Sequence, residues 1–242
     1  MNKFILYRQK AGDLVKECRS WMVRRSGYDT PYERKLKNDL RKQNTPICRN
    51  ATDRMELYLA MIGKTGVVYT LTFSSQHLPD TYKKLRKVWT TWSRKMRRKI
   101  GGDAHYLYRI EGLHGDHRYH FHVVIREEEL SLAEMQQLWN YGIVDQQRLI
   151  RGTAIRPAPA QNPYREWAVY LTKENQNNDT YMIPVGARPW SASRALHREW
   201  LPLEKASVQD GRVTVPMGAK ITARSDYVNT FGETHYVSYI LQ

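Results

Sequence analysis

Two short groups of residues in this 242-residue chain carry side chains that can do chemistry together. The first is Tyr119-His120-Phe121-His122-Val123-Val124-Ile125. Its apolar, β-branched content reads as a strand. Strand side chains alternate faces, so His120 and His122 share one face while Phe121 and Val123 share the other. Two imidazoles ~7 Å apart, on a strand that rises ~3.3 Å per residue, can hold one metal ion. The second group is Tyr170-Leu171-Thr172-Lys173. A tyrosine hydroxyl can attack a phosphodiester if a cation stabilises the developing charge. An ammonium within one helical turn of it can orient the phosphate or ease loss of the phenol proton.

The strand before the histidines supplies a third ligand. His105 to Glu111 alternates, with Tyr106, Tyr108 and Ile110 on one face and Leu107, Arg109 and Glu111 on the other. A Gly- and Asp-containing loop, Gly112 to Arg118, joins it to the histidine strand, which is a β-hairpin signature. If the apolar sides of both strands pack on helices, the opposite side carries Glu111, His120 and His122 together. Mixed nitrogen and oxygen ligands suit Mn²⁺, Mg²⁺ or a similar divalent ion, with positions left for a phosphate oxygen. His114 and His117, in the loop, are competing ligands that rank below Glu111.

The elements around these residues follow from periodicity. Val67 to Phe73 reads as a buried strand. A helix follows from about Asp80 to Ile100, closed by Gly101-Gly102. Leu85, Val88, Trp89, Trp92, Met96 and Ile100 form its apolar stripe, which makes the tryptophans core rather than a base-stacking platform. Lys83, Lys84, Lys87, Arg94, Arg97 and Arg98 crowd its other faces. Acidic partners at i±4 are missing, so these are candidates for phosphate contact, as is Arg109 on the neighbouring strand. Ser131 to Tyr141 reads as a short helix with a capping box, Ser131 and Glu134. Ile143 to about Arg156 supplies one or two strands. Asn162-Pro163 opens a helix that reaches Lys173 or Asn175 and buries Tyr164, Ala168 and Leu171, leaving Tyr170 and Lys173 off that stripe. The order strand, helix, strand, strand, helix, strand, helix predicts an α+β sandwich of two layers, a mostly antiparallel sheet with helices on one face.

Charge sets the class of partner. A net charge of +15, from 39 Lys and Arg against 24 Asp and Glu, attracts polyanions, with nucleic acid first among them. No apolar run is long enough to span a membrane and no signal-peptide pattern opens the chain, which points to the cytoplasm, with a bacterial host expected. The two cysteines, Cys18 and Cys48, fit a reducing compartment and lack zinc-site spacing. Residues 1–50 hold 13 basic and 5 acidic residues, whereas 201–242 hold 4 of each. That shift divides the chain into a basic helical arm over 1–57, a middle domain over 58–200 and a β-rich extension over 201–242. The arm is read with helices over Arg19–Arg25 and Arg34–Lys42, and a further helix over 52–62; the extension is read with a turn at Asp210-Gly211. Gly63-Lys64-Thr65 is no phosphate loop, because position 58, where such a loop needs glycine, is Tyr58.

In chain order, Thr70-Leu71-Thr72-Phe73, His120-Phe121-His122 and Tyr170-x-x-Lys173 resemble the three motifs of the HUH endonucleases. The closest likeness is to replication initiators of rolling-circle plasmids and small single-stranded DNA phages. Glu111, nine residues before His120, stands where many such initiators carry an acidic ligand. Gly186 to Arg194 resembles a stretch that follows the tyrosine helix in some bacterial members. The resemblance covers roughly residues 65–195. It implies a ferredoxin-like sheet and metal-dependent nicking of single-stranded DNA at an origin hairpin or nick site. It further implies a 5′-phosphotyrosine link at Tyr170, a freed 3′ hydroxyl that primes synthesis, and later resealing. A second tyrosine three or four residues from Tyr170 is absent, which argues against the two-tyrosine phage type. No helicase segment is present, so a host helicase and DNA polymerase would be partners. A transposase or a plasmid-mobilisation relaxase would use the same chemistry, and a basic DNA-binding protein without catalysis is the alternative of another class.

Overall fold

The structure, a computed structural model, describes residues 3–23, 29–43, 50–101, 103–112, 118–126, 129–150, 162–172 and 188–242. Among them ten strands form two five-stranded antiparallel sheets, accompanied by six helices. The chain divides into two units. One holds residues 58–158 and 163–200, and the other holds 1–57, 159–162 and 201–242.

The middle unit is built on β3 (Gly66–Phe73), α3 (Tyr82–Ile100), β4 (Tyr106–Glu111), β5 (His120–Arg126), α4 (Leu132–Leu138) and β6 (Gly142–Arg148). Its sheet runs in the order β6-β3-β5-β4, and a short strand β7 (Trp190–Ala192) extends the β4 edge. All neighbours are antiparallel. A βαββαβ chain whose strands lie in the order fourth, first, third, second is the split βαβ arrangement of ferredoxin-like sheets. Then follow α5 (Pro163–Thr172), before β7, and α6 (Arg194–Arg198), after it.

Alternation decides what each face holds. Tyr106, Tyr108, Ile110, Phe121, Val123 and Ile125 join Tyr69, Leu71 and Phe73 in one core with Leu85, Trp89, Trp92 and Met96 of α3 and Met135 of α4. Trp89 stacks on Tyr108 with ring centroids 3.9 Å apart, so the tryptophan stripe is core. α3 starts at Thr81, whose hydroxyl accepts from the Lys84 N–H, and ends at Gly101, whose N–H bonds the Arg97 carbonyl. α4 has its capping box, Ser131 with Glu134. Gly142 starts β6 rather than merely ending a helix. Every residue of β4 is buried, on both faces, where alternation alone leaves one face open.

The other unit departs from the basic helical arm. Its sheet runs β8-β1-β2-β10-β9, with β1 (Phe4–Ala11) and β2 (Leu14–Met22) from the N-terminal part and β8 (Glu204–Val208), β9 (Lys220–Asn229) and β10 (Gly232–Ile240) from the C-terminal part. The expected helix over Arg19–Arg25 is therefore strand up to Met22. A two-residue turn, with Gly12 at φ 54°, pairs Ala11 with Leu14 and commits both segments to a hairpin. Asp210-Gly211 lies between β8 and β9, and the tight hairpin is instead β9 with β10. The helices over 34–42 and 52–62 are present as α1 (Pro31–Gln43) and α2 (Ala51–Ile62).

Internal pairing consumes much of the basic charge of this unit. Glu17, fully buried, takes Arg8 at 2.9 Å and Arg19 at 2.8 Å. Lys37 pairs with Asp29 at 2.6 Å, both buried. Lys16 and Glu56, each 2% exposed, pair at 2.7 Å, and the Asn162 amide donates to the other Glu56 oxygen. Removing one partner of such a pair strands the other charge away from water. Lys16→Ala is expected to cost about 3–5 kcal/mol in urea unfolding, and a loss below ~1 kcal/mol would show that the pair holds nothing.

Candidate active site

The face of the middle sheet turned away from the α3 core carries Thr70, Arg109, Glu111, His120 and His122. Pairing register sets their neighbours: Glu111 lies opposite His120, and His122 lies between Thr70 and Arg109. The histidine rings meet edge to face with centroids 5.1 Å apart. One carboxylate oxygen, Oε2 of Glu111, sits 3.2 Å from His120 Nε2 and 3.0 Å from His122 Nε2. The ligand atoms of all three residues lie within 4.8 Å of one another. Adjacent ligands of an ion with bonds of about 2.1 Å stand ~3.0 Å apart, so these spacings match an edge of its coordination shell.

Outer contacts fix the rings. His120 Nδ1 lies 3.2 Å from the Arg118 carbonyl, which can only accept. Nδ1 therefore carries the proton, and Nε2 is the nitrogen left for a metal. The Arg118 carbonyl is itself placed by Gly112, whose φ of 79° suits glycine and at which a Cβ would stand 1.9 Å from that oxygen. His122 Nδ1 lies 3.2 Å from Thr70 Oγ1. Burial alone would push the Glu111 carboxyl up, but the hydrogen bonds from His120 and His122 hold it at about 2. Glu111 is 8% exposed and His122 4%, while the His120 side chain is 26% exposed, so His120 is the side open to a ligand.

α5 delivers the tyrosine. Tyr164, Ala168 and Leu171 are buried, and Tyr170 points off that stripe, 49% exposed. Its ring stands edge-on to His122 with centroids 5.7 Å apart, and Trp167 meets it from the other side at 5.6 Å. Lys173, His114 and His117 lie outside the described residues.

The nucleic-acid candidates separate into two groups. Lys83, Lys84, Lys87, Arg94, Arg97 and Arg98 are exposed on α3, on the far side of the sheet from the cluster. Lys84 does have an acidic partner at i−4, Asp80 at 2.8 Å. Arg109 differs: it is fully buried on β4, opposite His122 on one side and Trp190 on the other, so it is not part of an open phosphate-binding surface. The sequence marked Thr70 only as part of a motif. Its tie to His122 depends on the register of β3 against β5, which no local pattern prints. Thr70→Val keeps the shape and removes that hydrogen bond. We expect a roughly 10- to 100-fold loss of divalent-ion affinity by titration calorimetry, and an unchanged affinity would deny Thr70 this role.

Residues 66–175 match the model of a family of replication-associated proteins of the ORF2 type. The matched span, a little under half of the chain, begins at the first residue of β3 and takes in Glu111, His120, His122 and Tyr170. The similarity supports a part in DNA replication. No curated protein and no solved structure matches the chain.

Proposed function

We propose that the chain initiates rolling-circle replication by nicking and rejoining single-stranded DNA at an origin, with Tyr170 as nucleophile. One observation carries this reading: the exposed Tyr170 ring lies against His122 of a cluster in which two imidazole nitrogens and a carboxylate oxygen converge. The donor set of Glu111, His120 and His122 fits a divalent ion such as Mn²⁺ or Mg²⁺, with no competing thiolate. Bound there, such an ion supplies Lewis-acid polarisation of a phosphate oxygen.

The chain's own residues do the rest. Glu111 and the two histidines keep the site negative on one side and neutral on the other, so a phosphate can approach past half-open His120. Tyr170 Oη, once it has lost its proton, attacks phosphorus; the P–Oη bond forms and the P–O3′ bond breaks. The departing oxygen takes up a proton and becomes a free 3′ hydroxyl, while the 5′ phosphate stays on Tyr170. Because the phosphodiester is exchanged rather than hydrolysed, a 3′ hydroxyl can later attack the same phosphorus and restore the strand. Lys173, three residues on in the sequence, is the cation offered to the phosphate or the phenolate. Unwinding and synthesis fall to a host helicase and polymerase.

A pool of 3′-labelled single strands with a randomised centre tests this. With Mn²⁺ the label is expected to become covalently attached to the protein, and a chelator is expected to prevent it. Binding without transfer of label is what a non-catalytic DNA-binding protein gives, and it would refute the nicking reading.

A further inference from the structure

Helix α3 arranges its charge in a way the nicking site does not use. At about 100° per residue, Leu85, Trp89, Trp92 and Met96 fall on one side of the helix, and all four are buried against the sheet. Lys83, Lys87, Arg94 and Arg98 fall within about 60° of one another on the opposite side. All four are exposed, and among the described residues none of them makes an ion pair. From Lys83 to Arg98 the stripe rises about 22 Å along the helix, which is the length of six or so base pairs of duplex. Since the α3 core and the Glu111, His120 and His122 cluster occupy opposite faces of one sheet, the stripe and the cluster point in opposite directions.

We propose that this stripe is a second DNA-contact surface, which takes the phosphate backbone of a duplex segment while the nick-site single strand lies on the other face. The proposal rests on the chain acting on DNA, as above, and names a second form of that substrate. Two features select duplex over single strand. The surface is a convex helix face rather than a groove, and its aromatic residues, Trp89 and Trp92, are buried and give no platform for stacked bases. Proteins that hold single strands combine a basic groove with exposed aromatic rings, whereas backbone contact with duplex needs only placed cations.

The test uses the full chain and two probes, a 20-base-pair duplex and a short single strand carrying the nick site. In the triple variant Lys87→Ala, Arg94→Ala, Arg98→Ala, duplex affinity is expected to fall, and the slope of its logarithm against log salt to flatten by nearly 3, at about 0.9 per lost phosphate contact. Nicking of the short strand is expected to stay within twofold, which also shows the variant folded. The charge-preserving variant Lys87→Arg, Arg94→Lys, Arg98→Lys is expected to keep the duplex slope. An unchanged duplex slope in the alanine variant overturns the assignment, and so does a parallel loss with the short strand while the charge-preserving variant binds and nicks normally. If the wild type binds duplex through the stripe yet nicks no strand, the nicking reading fails and the stripe stands.

Discussion

Tyr170→Phe is expected to lower the rate of covalent transfer of DNA to the protein by at least ~1000-fold, to background in a gel assay, because no other group takes over the lost nucleophile. The substitution deletes one atom. The phenylalanine ring retains the edge contacts with His122 at 5.7 Å and Trp167 at 5.6 Å, so the helix face and the metal cluster keep their packing. Half of the tyrosine is already in solvent, and stability is expected to change by no more than about 0.5 kcal/mol. Divalent-ion affinity is expected to stay within twofold. Loss of transfer with metal binding and folding retained separates a nucleophile from a packing residue. Transfer that survives at more than about a tenth of the wild-type rate would place the nucleophile elsewhere.

Glu111→Gln is expected to reduce divalent-ion affinity by at least ~100-fold and to reduce nicking with it at fixed metal. Glutamine keeps the shape and one acceptor oxygen but removes the only carboxylate of the cluster, and hard divalent ions depend on that charge. The same variant has a signature in the metal-free protein. Burial opposes ionisation of Glu111, yet the hydrogen bonds from His120 and His122 hold its folded-state value at about 2, below the ordinary 4.5. A depressed carboxyl stabilises the fold above its unfolded value, and that contribution is lost as the pH falls from about 4.5 towards 2. Wild type should therefore exceed Glu111→Gln in urea midpoint at pH 6, and the gap should narrow by pH 3. An equal gap at both pH values would contradict the ionised cluster.

The site was legible in the sequence to the extent that it obeys a period of two. His120, His122 and Glu111 could be put on one face because Tyr106, Tyr108, Ile110, Phe121, Val123 and Ile125 demanded the other, and the core holds all six. Glu111 needed one further inference, that the two strands form a hairpin. The N-terminal strands were not legible, because Arg8, Lys16, Glu17 and Arg19 make β1 and β2 look like a charged, solvated segment. In the fold these charges neutralise one another, with Lys16 and Glu17 almost wholly buried, and strand pairing to β8 and β10 comes from residues nearly 200 positions away. Arg109 misled for a related reason. An arginine in an alternating strand reads as surface, but β4 is buried on both faces. The α3 charges were visible as a stripe, whereas their position behind the sheet depends on topology, which pattern alone does not give.

The central claim is that Tyr170 forms the bond to DNA, and mapping that bond tests it most directly. Protein incubated with single-stranded DNA and Mn²⁺ would be digested with nuclease and protease, and the nucleotide-bearing peptide sequenced by mass spectrometry. The account predicts a phosphonucleotide on the peptide that contains Tyr170, at that side chain and no other. A nucleotide on any other residue, or no modified peptide from protein that has nicked its strand, would contradict it.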